Sequence, residues 1–274
     1  MTTLELDARV HATTIIDRRV LAPGVVLLRL DAPELARATK PGQYVMAIAP
    51  AGETAATALA VYEAEGKLAS LLFFITGKRT KALSELQRGE RLDVVGPLGN
   101  GFDCAPHLRD AAIVAGGVGI ASVLLCAQRL RRAGARVRLF YGARTAELLV
   151  ESQRFADEGC ELVVTTDDGS RGERGFVTEA LSRASPPEAI FACGPSPMLR
   201  AVAQVARHMG VRAQLSLEET FGCGIGGCWG CVVPLSAASA QAPSFPSAAM
   251  GGSDVVYARI CREGPVFWAD ELRW

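Results

Sequence analysis

Two rhythms of apolar and polar residues divide the chain. Up to about residue 100 the apolar positions come in short runs broken by Gly and Pro. Val25-Val26-Leu27-Leu28-Arg29-Leu30 predicts a strand, and Pro41-Gly42-Gln43-Tyr44 predicts a turn into a strand over 45–48. Residues 58–62 and 67–76 are expected to be the arms of a hairpin turning at Glu65-Gly66. A helical segment over 81–87 and a strand over 91–95 follow. Short strands separated by turn residues predict a small antiparallel barrel.

From Asp110 the rhythm lengthens. Ala111-Ala112-Ile113-Val114-Ala115 is an apolar strand that runs into Gly116-Gly117-Val118-Gly119, with a helix expected over 120–132. Strands over 137–141, 161–165, 189–193 and 211–217 alternate with helices near 146–156 and over 197–209. Alternation of this kind predicts a parallel sheet with crossover helices, as in Rossmann-like α/β domains. Residues 236–254 are rich in Ser, Ala, Pro and Gly, follow neither period, and are expected to form a flexible loop. Order returns at 257–261, before an apolar tail Pro265-Val266-Phe267-Trp268. The expected division is therefore 1–104 (β-barrel), 105–215 (α/β) and 216–274.

Composition narrows the function classes. The 274 residues are 49% hydrophobic, enough for real cores. Lys+Arg and Asp+Glu number 29 each, so nothing favours nucleic acid or a polybasic membrane surface. No run reaches the roughly 18 apolar residues of a membrane span. The first residues carry Glu5 and Asp7 and lack an apolar signal core. The expectation is a soluble, cytoplasmic protein, in which clustered cysteines bind metal more often than they form disulfides. Cys104, Cys126, Cys160 and Cys193 are scattered in apolar surroundings and are expected to be small buried residues.

The other cysteines are clustered. In the stretch 218–231, EETFGCGIGGCWGC, the residues Cys223, Cys228 and Cys231 follow C-x4-C-x2-C, the thiolate spacing of plant-type [2Fe–2S] ferredoxins. Cys261 is available as a fourth ligand. The intervening glycines allow sharp turns that bring backbone N–H groups towards sulfur. Zinc or a disulfide remains an alternative, although zinc ribbons usually pair two C-x2-C knuckles and only one is present.

A second constellation points to a dinucleotide. Gly116, Gly117 and Gly119 lie between a strand and a helix, where backbone can approach a pyrophosphate. The pattern is short of a full G-x-G-x-x-G, and a plain tight turn is the alternative. Cys193-Gly194-Pro195-Ser196-Pro197-Met198 again links strand to helix, and Asp167-Asp168-Gly169-Ser170 ends a third strand. Ligands of open α/β sheets bind at such strand ends, so these loops are expected to share one crevice.

Taken together, the motif order resembles the ferredoxin–NADP reductase superfamily, and within it the electron-transfer subunit of dihydroorotate dehydrogenase type B. The resemblance spans the chain. Its carriers are GPLGNGF at 96–102, AGGVGIA at 115–121, Cys193-Gly194-Pro195 with Met198, Glu218-Glu219 ahead of Cys223-Gly224-Ile225-Gly226, and CREGPVF at 261–267. It implies FAD in the barrel, NAD(H) on the α/β domain and a [2Fe–2S] cluster on Cys223, Cys228, Cys231 and Cys261. It also implies a partner, the FMN-containing subunit that oxidises dihydroorotate. Electrons would pass from that FMN through cluster and FAD to NAD+.

The sequence departs from this family at three places. Where Arg-Pro-x-Ser usually grips FAD, the chain reads Thr57-Ala58-Leu59-Ala60, without charge or hydroxyl at the Arg and Ser positions. The next flavin element reads Gly77-Lys78-Arg79-Thr80, where Lys78 or Arg79 could restore the charge; a solvated Arg79 is the alternative. Between Cys231 and Cys261 lie 29 residues, more than the family leads one to expect. Ser122 replaces a frequent Pro. Two other functions stay open: the same chemistry for a different partner enzyme, or a structural or regulatory subunit that has lost FAD. Arg144 leaves NADH against NADPH undecided.

Overall fold

The computed structural model describes residues 8–48, 56–236 and 255–274. The expected loop at 236–254 therefore falls, apart from Ser236, outside the described residues. Strands β1 (Arg9–Ala22), β2 (Val25–Asp31), β3 (Tyr44–Ile48), β4 (Thr57–Glu65), β5 (Leu68–Phe74) and β6 (Arg91–Leu98) are all antiparallel to their neighbours. They close a six-stranded barrel in the order β1-β2-β5-β4-β3-β6. Alternation drives the closure: Val26, Leu28 and Leu30 of β2 point inward with Val45, Leu71 and Val94 and are buried together.

β1 had no expected element of its own. Its polar residues Thr13, Asp17, Arg18 and Arg19 blur the alternation, and its register against β2 shifts twice, while its pairing with β6 on the other side is regular. Two short helices flank the barrel, α1 (Pro33–Ala38) and α2 (Lys78–Glu85). α2 begins three residues ahead of the expected start at 81. The Thr80 hydroxyl accepts N–H bonds from Thr76 (2.9 Å) and Gly77 (3.1 Å), which caps the first turn.

The second sheet holds β7 (Asp110–Gly116), β8 (Arg136–Ala143), β9 (Glu161–Thr166), β10 (Glu173–Arg174), β11 (Ala189–Cys193) and β12 (Arg212–Ser216), all parallel. Their order is β10-β9-β8-β7-β11-β12, so the chain changes direction across the sheet between β7 and β11. Between the strands run α3 (Leu124–Arg132), α4 (Ser152–Asp157), α5 (Val177–Ser182) and α6 (Ser196–Met209). Two expected helices are broken. A 3₁₀ turn at Gly117–Ser122 precedes α3, with Gly119 packed closely against the Cys193 carbonyl. A 3₁₀ turn at Ala146–Leu148 precedes α4, and Glu151 between them takes φ +57°. That turn presents its carboxylate to the barrel, where Tyr62 Oη donates to Glu151 Oε2 at 2.8 Å. Arg154 adds a second tie to Glu63 on β4, 3.0 Å.

The last segment is woven into this sheet. β13 (Val232–Ser236) and β14 (Val255–Arg259) form an antiparallel ribbon, and β15 (Val266–Trp268) joins the sheet edge antiparallel to β12. Leu215 lies opposite Phe267 there. Pro265-Val266-Phe267 is thus a strand start and not a loose tail. None of the helices among the described residues is long and apolar enough to cross a membrane.

Candidate cofactor cleft and thiol cradle

Barrel and sheet meet along a cleft of about 630 Å³, a size suited to a small organic cofactor. Thr57 and Ala60 of β4, Arg79 at the start of α2, Ser122, Glu218 and Phe221 are among its walls. Thr57 Oγ1 is enclosed and has no hydrogen-bond partner among the described residues, an orphan that a bound polar group would satisfy. Arg79 is no loose surface residue: its Nη1 donates to the Ala56 carbonyl at 3.1 Å, which holds the cation beside Thr57. The hydroxyl of Thr80 is engaged in capping. What α2 can offer a ligand is therefore the backbone N–H end of the helix, with Gly77, Lys78 and Arg79 at the cleft.

The glycine loops stand at the switch point between β7 and β11, where Cys193 is in register with Ala115. Their glycines divide the work. A Cβ on Gly119 would lie 2.2 Å from the Cys193 carbonyl oxygen. One on Gly116 would lie 2.6 Å from Met198 Sδ, and one on Gly194 would lie 2.7 Å from Met198 Cε. Gly116, Gly119 and Gly194 therefore let the two loops, with Pro195 and Met198, close on each other. Gly117 differs: φ is +53° and nothing lies within 4 Å of its Cβ position, so its open side is free for a ligand. Asp167 to Ser170 form a turn past β9 in which Asp168 Oδ1 accepts from the Ser170 backbone and hydroxyl.

Glu218 lies between these loops and the barrel. It opens to the cleft yet is surrounded by protein, and its Oε1 lies 3.5 Å from Cys193 Sγ. That crowding raises its pKa, and it raises that of the fully buried Cys193 further.

Beyond Phe221 the chain enters the cysteine loop. The thiols stand as two pairs and not as one tetrad. Among the described residues no three His, Cys, Asp or Glu converge on one ion position. Cys223 and Cys228 interact within the loop, and Cys231 faces Cys261 across the ribbon. Backbone donors converge on the sulfurs: Gly227 N and Cys228 N on Cys223 at 3.2 and 3.4 Å, Gly230 N on Cys228 at 3.4 Å, and Cys261 N on Cys231 at 3.4 Å. Partial burial pushes Cys223 up, but the N–H groups of Ile225, Cys228 and Gly227 outweigh it and bring the thiol down to about 6. Burial, then Cys231 beside it, pushes Cys261 up to about 12. Two neighbouring buried thiols resist losing both protons unless a positive centre shares them. Four thiols lined with N–H donors are of a chemistry that could serve a two-iron cluster.

The ribbon explains how a long insertion leaves this intact. β13 starts right after Cys231 and β14 ends two residues before Cys261, with Val232 opposite Arg259. Ser236 lies opposite Val255 at the ribbon's other end, where the two strands are joined in sequence. Arg259, only 3% exposed, ties loop to ribbon. Its Nη1 donates to the Gly226 carbonyl (2.7 Å), its Nε to Glu263 Oε2 (3.1 Å), and its guanidinium lies 4.6 Å from the Trp229 ring centre. Trp229 itself takes φ +57°, a conformation costing about 1 kcal/mol or more that these contacts hold in place. The barrel grips the same loop through Tyr44 and Met46; a Cβ on Gly224 would lie 2.3 Å from Met46 Sδ. Arg259, Tyr44, Met46 and Phe221 carry no motif signal, and sequence reasoning missed them.

An antiparallel barrel joined to a parallel nucleotide-type sheet, with a cleft between, is the architecture of NAD-linked oxidoreductases. Residues 113–204 match the oxidoreductase NAD-binding domain family. The chain belongs to the family of dihydroorotate dehydrogenase B (NAD(+)) electron transfer subunits. It is 34% identical to that subunit of Caldanaerobacter subterraneus subsp. tengcongensis over 85% of this chain and 86% of the relative. The subunit of Desulforamulus reducens is 32% identical over 98% of both chains. Among solved structures, an NADH-dependent reduced ferredoxin–NADP oxidoreductase studied for flavin-based electron bifurcation superimposes with a TM-score of 0.81. It is 29% identical, and the match covers 96% of this chain and 90% of that one. The ferredoxin reductase of a carbazole 1,9a-dioxygenase shares the fold, with a TM-score of 0.65 at 22% identity over 76% and 68% of the two chains.

Proposed function

We propose that this protein is the electron-transfer subunit of a dihydroorotate-oxidising complex, passing electrons from a partner flavoenzyme through a [2Fe–2S] cluster and FAD to NAD+. The observation that carries the reading is the juxtaposition of the two dithiol pairs with the cofactor cleft, joined by Phe221 and Tyr44, which border both. A flavin exchanges electrons singly or in pairs and so joins a one-electron cluster to a two-electron nicotinamide.

The chain's own residues bind, orient and shield. Cys223, Cys228, Cys231 and Cys261 would hold the cluster. Thr57 and Arg79, with the N–H end of α2, bind the FAD diphosphate in place of the missing arginine. Ala60 leaves flavin orientation to its neighbours on the cleft wall. The loops of Gly116, Gly117, Gly119, Cys193, Gly194, Pro195 and Met198 receive NAD(H), with Gly117 as the open approach. Hydride exchange between flavin and nicotinamide needs no protein acid or base. Cys228 is exposed, and on the same loop and ribbon Ile225, Trp229, Val232 and Tyr257 are 41–52% exposed, apolar surface suited to a partner protein. The reading takes the protein as cytoplasmic, where thiols stay reduced.

The test is the cofactor content of anaerobically purified protein. Two irons and one flavin per chain are expected, with an EPR signal of a reduced [2Fe–2S] centre. A chain holding iron but no flavin would make it a structural subunit, and one without iron would end the proposal.

A further inference from the structure

We propose that Tyr44 is the positioning residue that sets the thiol cradle against the cofactor cleft, and that its hydroxyl tunes the cluster held there. The inference rests on the functional reading above. Tyr44 lies on β3, is 4% exposed, and forms part of the cleft wall. Its ring packs on Phe221 at 5.1 Å between centres, tilted by 55°. Its hydroxyl reaches the opposite way, to 2.7 Å from the carbonyl oxygens of both Gly224 and Cys261.

Those two carbonyls belong to separate arms of the cradle. Gly224 follows Cys223 in the loop, and Cys261 sits beyond the ribbon, so one barrel side chain touches both halves. The hydroxyl has a single proton and donates to one carbonyl at a time, with the other within reach. At neutral pH a tyrosine phenol ordinarily carries its proton, so the hydroxyl is a donor to these carbonyls. Packing leaves it little freedom. A Cβ on Gly99 would lie 3.0 Å from Tyr44 Cε1, and the 99–100 turn is fastened to the same arm. There Asn100 Nδ2 donates to the carbonyls of Glu263 (2.9 Å) and Val266 (2.7 Å), and Asn100 Oδ1 accepts from Val266 N (2.9 Å).

Two consequences follow from elementary electrostatics and geometry. An O–H donor on a carbonyl next to a cluster ligand offsets negative partial charge where an incoming electron must settle. Removing it disfavours the reduced cluster. Without the hydroxyl the two arms also lose the one barrel group that reaches both, so the separation of cradle and cleft is held less tightly, and transfer between them slows.

The experiment compares holoprotein carrying Tyr44→Phe with wild type and with Tyr62→Phe, whose lost hydroxyl bonds Glu151 away from the cradle. Iron and flavin are assayed separately, the cluster is titrated for its potential, and its reduction by NADH is followed by stopped flow. For Y44F the equilibrium should shift about tenfold against the reduced cluster, about 59 mV for one electron. NADH-driven reduction should slow by at least as much, while Y62F matches wild type. Loss of iron from Y44F alone, with Y62F fully loaded, equally supports the anchor. Fully loaded Y44F with wild-type potential and rate overturns the inference, as does Y62F losing as much as Y44F. Wild type lacking iron or flavin overturns the functional reading itself, and this inference with it.

Discussion

Replacing Arg259 with methionine keeps most of the side-chain volume but removes the guanidinium that joins the cysteine loop to the ribbon. Three contacts vanish: the ion pair with Glu263, the bond to the Gly226 carbonyl, and the stacking on Trp229. Breaking a buried pair by removing one partner costs about 3–5 kcal/mol. Glu263 is 15% exposed and keeps the hydrogen bond from Arg259 N at 2.7 Å, so the low end applies. The charged bond to Gly226 would be worth about 1.5–3 kcal/mol alone, but contacts sharing one group do not add fully. A joint loss of about 3 kcal/mol, roughly a 150-fold shift, is the working figure. It falls on the closure of the loop over the ribbon, because Gly226, Trp229 and Glu263 all lie in the cysteine loop or the turn after β14, while the barrel interior has a core of its own. The assay is release of iron to a chelator, followed by visible absorbance, beside a circular-dichroism melt. Release should accelerate about 100-fold while the main melting transition moves by only a few degrees. Arg259→Lys should recover part of the loss, since an ammonium cannot reproduce the planar fork. Release within about threefold of wild type, or collapse of the whole fold, would refute the assignment of Arg259 to the cradle.

Three further predictions test other parts. Gly119→Ala should destabilise the protein by about 1–3 kcal/mol or more, since its Cβ meets backbone that cannot move aside, whereas Gly117→Ala, strained but unobstructed, should cost about 1–2 kcal/mol; paired denaturant titrations separate them. Arg79→Ala should weaken flavin retention about tenfold, the worth of one charge-assisted hydrogen bond, measured as flavin left after exhaustive dialysis; undiminished retention would return Arg79 to an ordinary surface role. Shortening the segment between Ser236 and Val255 to a few Gly and Ser residues should leave iron content unchanged, because the ribbon and not the connection pairs Cys231 with Cys261, and loop closure changes by only about 0.6 kcal/mol per halving.

The sequence makes legible whatever rests on local periodicity or fixed spacing. The strands around Val26, Ile113 and Ile190, the hairpin at Glu65-Gly66 and the C-x4-C-x2-C run are all written in neighbouring residues. What escapes is set by distant packing. Nothing near Ile120 announces that Gly119 packs on Cys193, or that a 3₁₀ turn stands at the expected helix start. Glu151 interrupts the helix expected over 146–156, with its carboxylate turned to a barrel tyrosine. β15 is three residues long and exists because β12 offers it an edge. Within the site, the cysteines are visible by spacing alone. Tyr44 and Arg259 look like any strand aromatic and any ribbon cation until the fold brings 44, 224, 259 and 261 together. Thr57 and Ala60 raise doubt in the sequence because an expected charge is absent. The fold answers part of it with Arg79, held beside Thr57 by the Ala56 carbonyl.

The central claim is that electrons cross this chain to NAD+, and reconstitution tests it most directly. Holoprotein is mixed anaerobically with its dihydroorotate-oxidising partner, dihydroorotate and NAD+, and NADH is followed at its absorbance maximum. NADH should form with both proteins present, and should stop when Cys223→Ser removes the cluster from an otherwise folded chain. Full iron and flavin occupancy with no NADH formed, or formation unaffected by Cys223→Ser, would contradict the account.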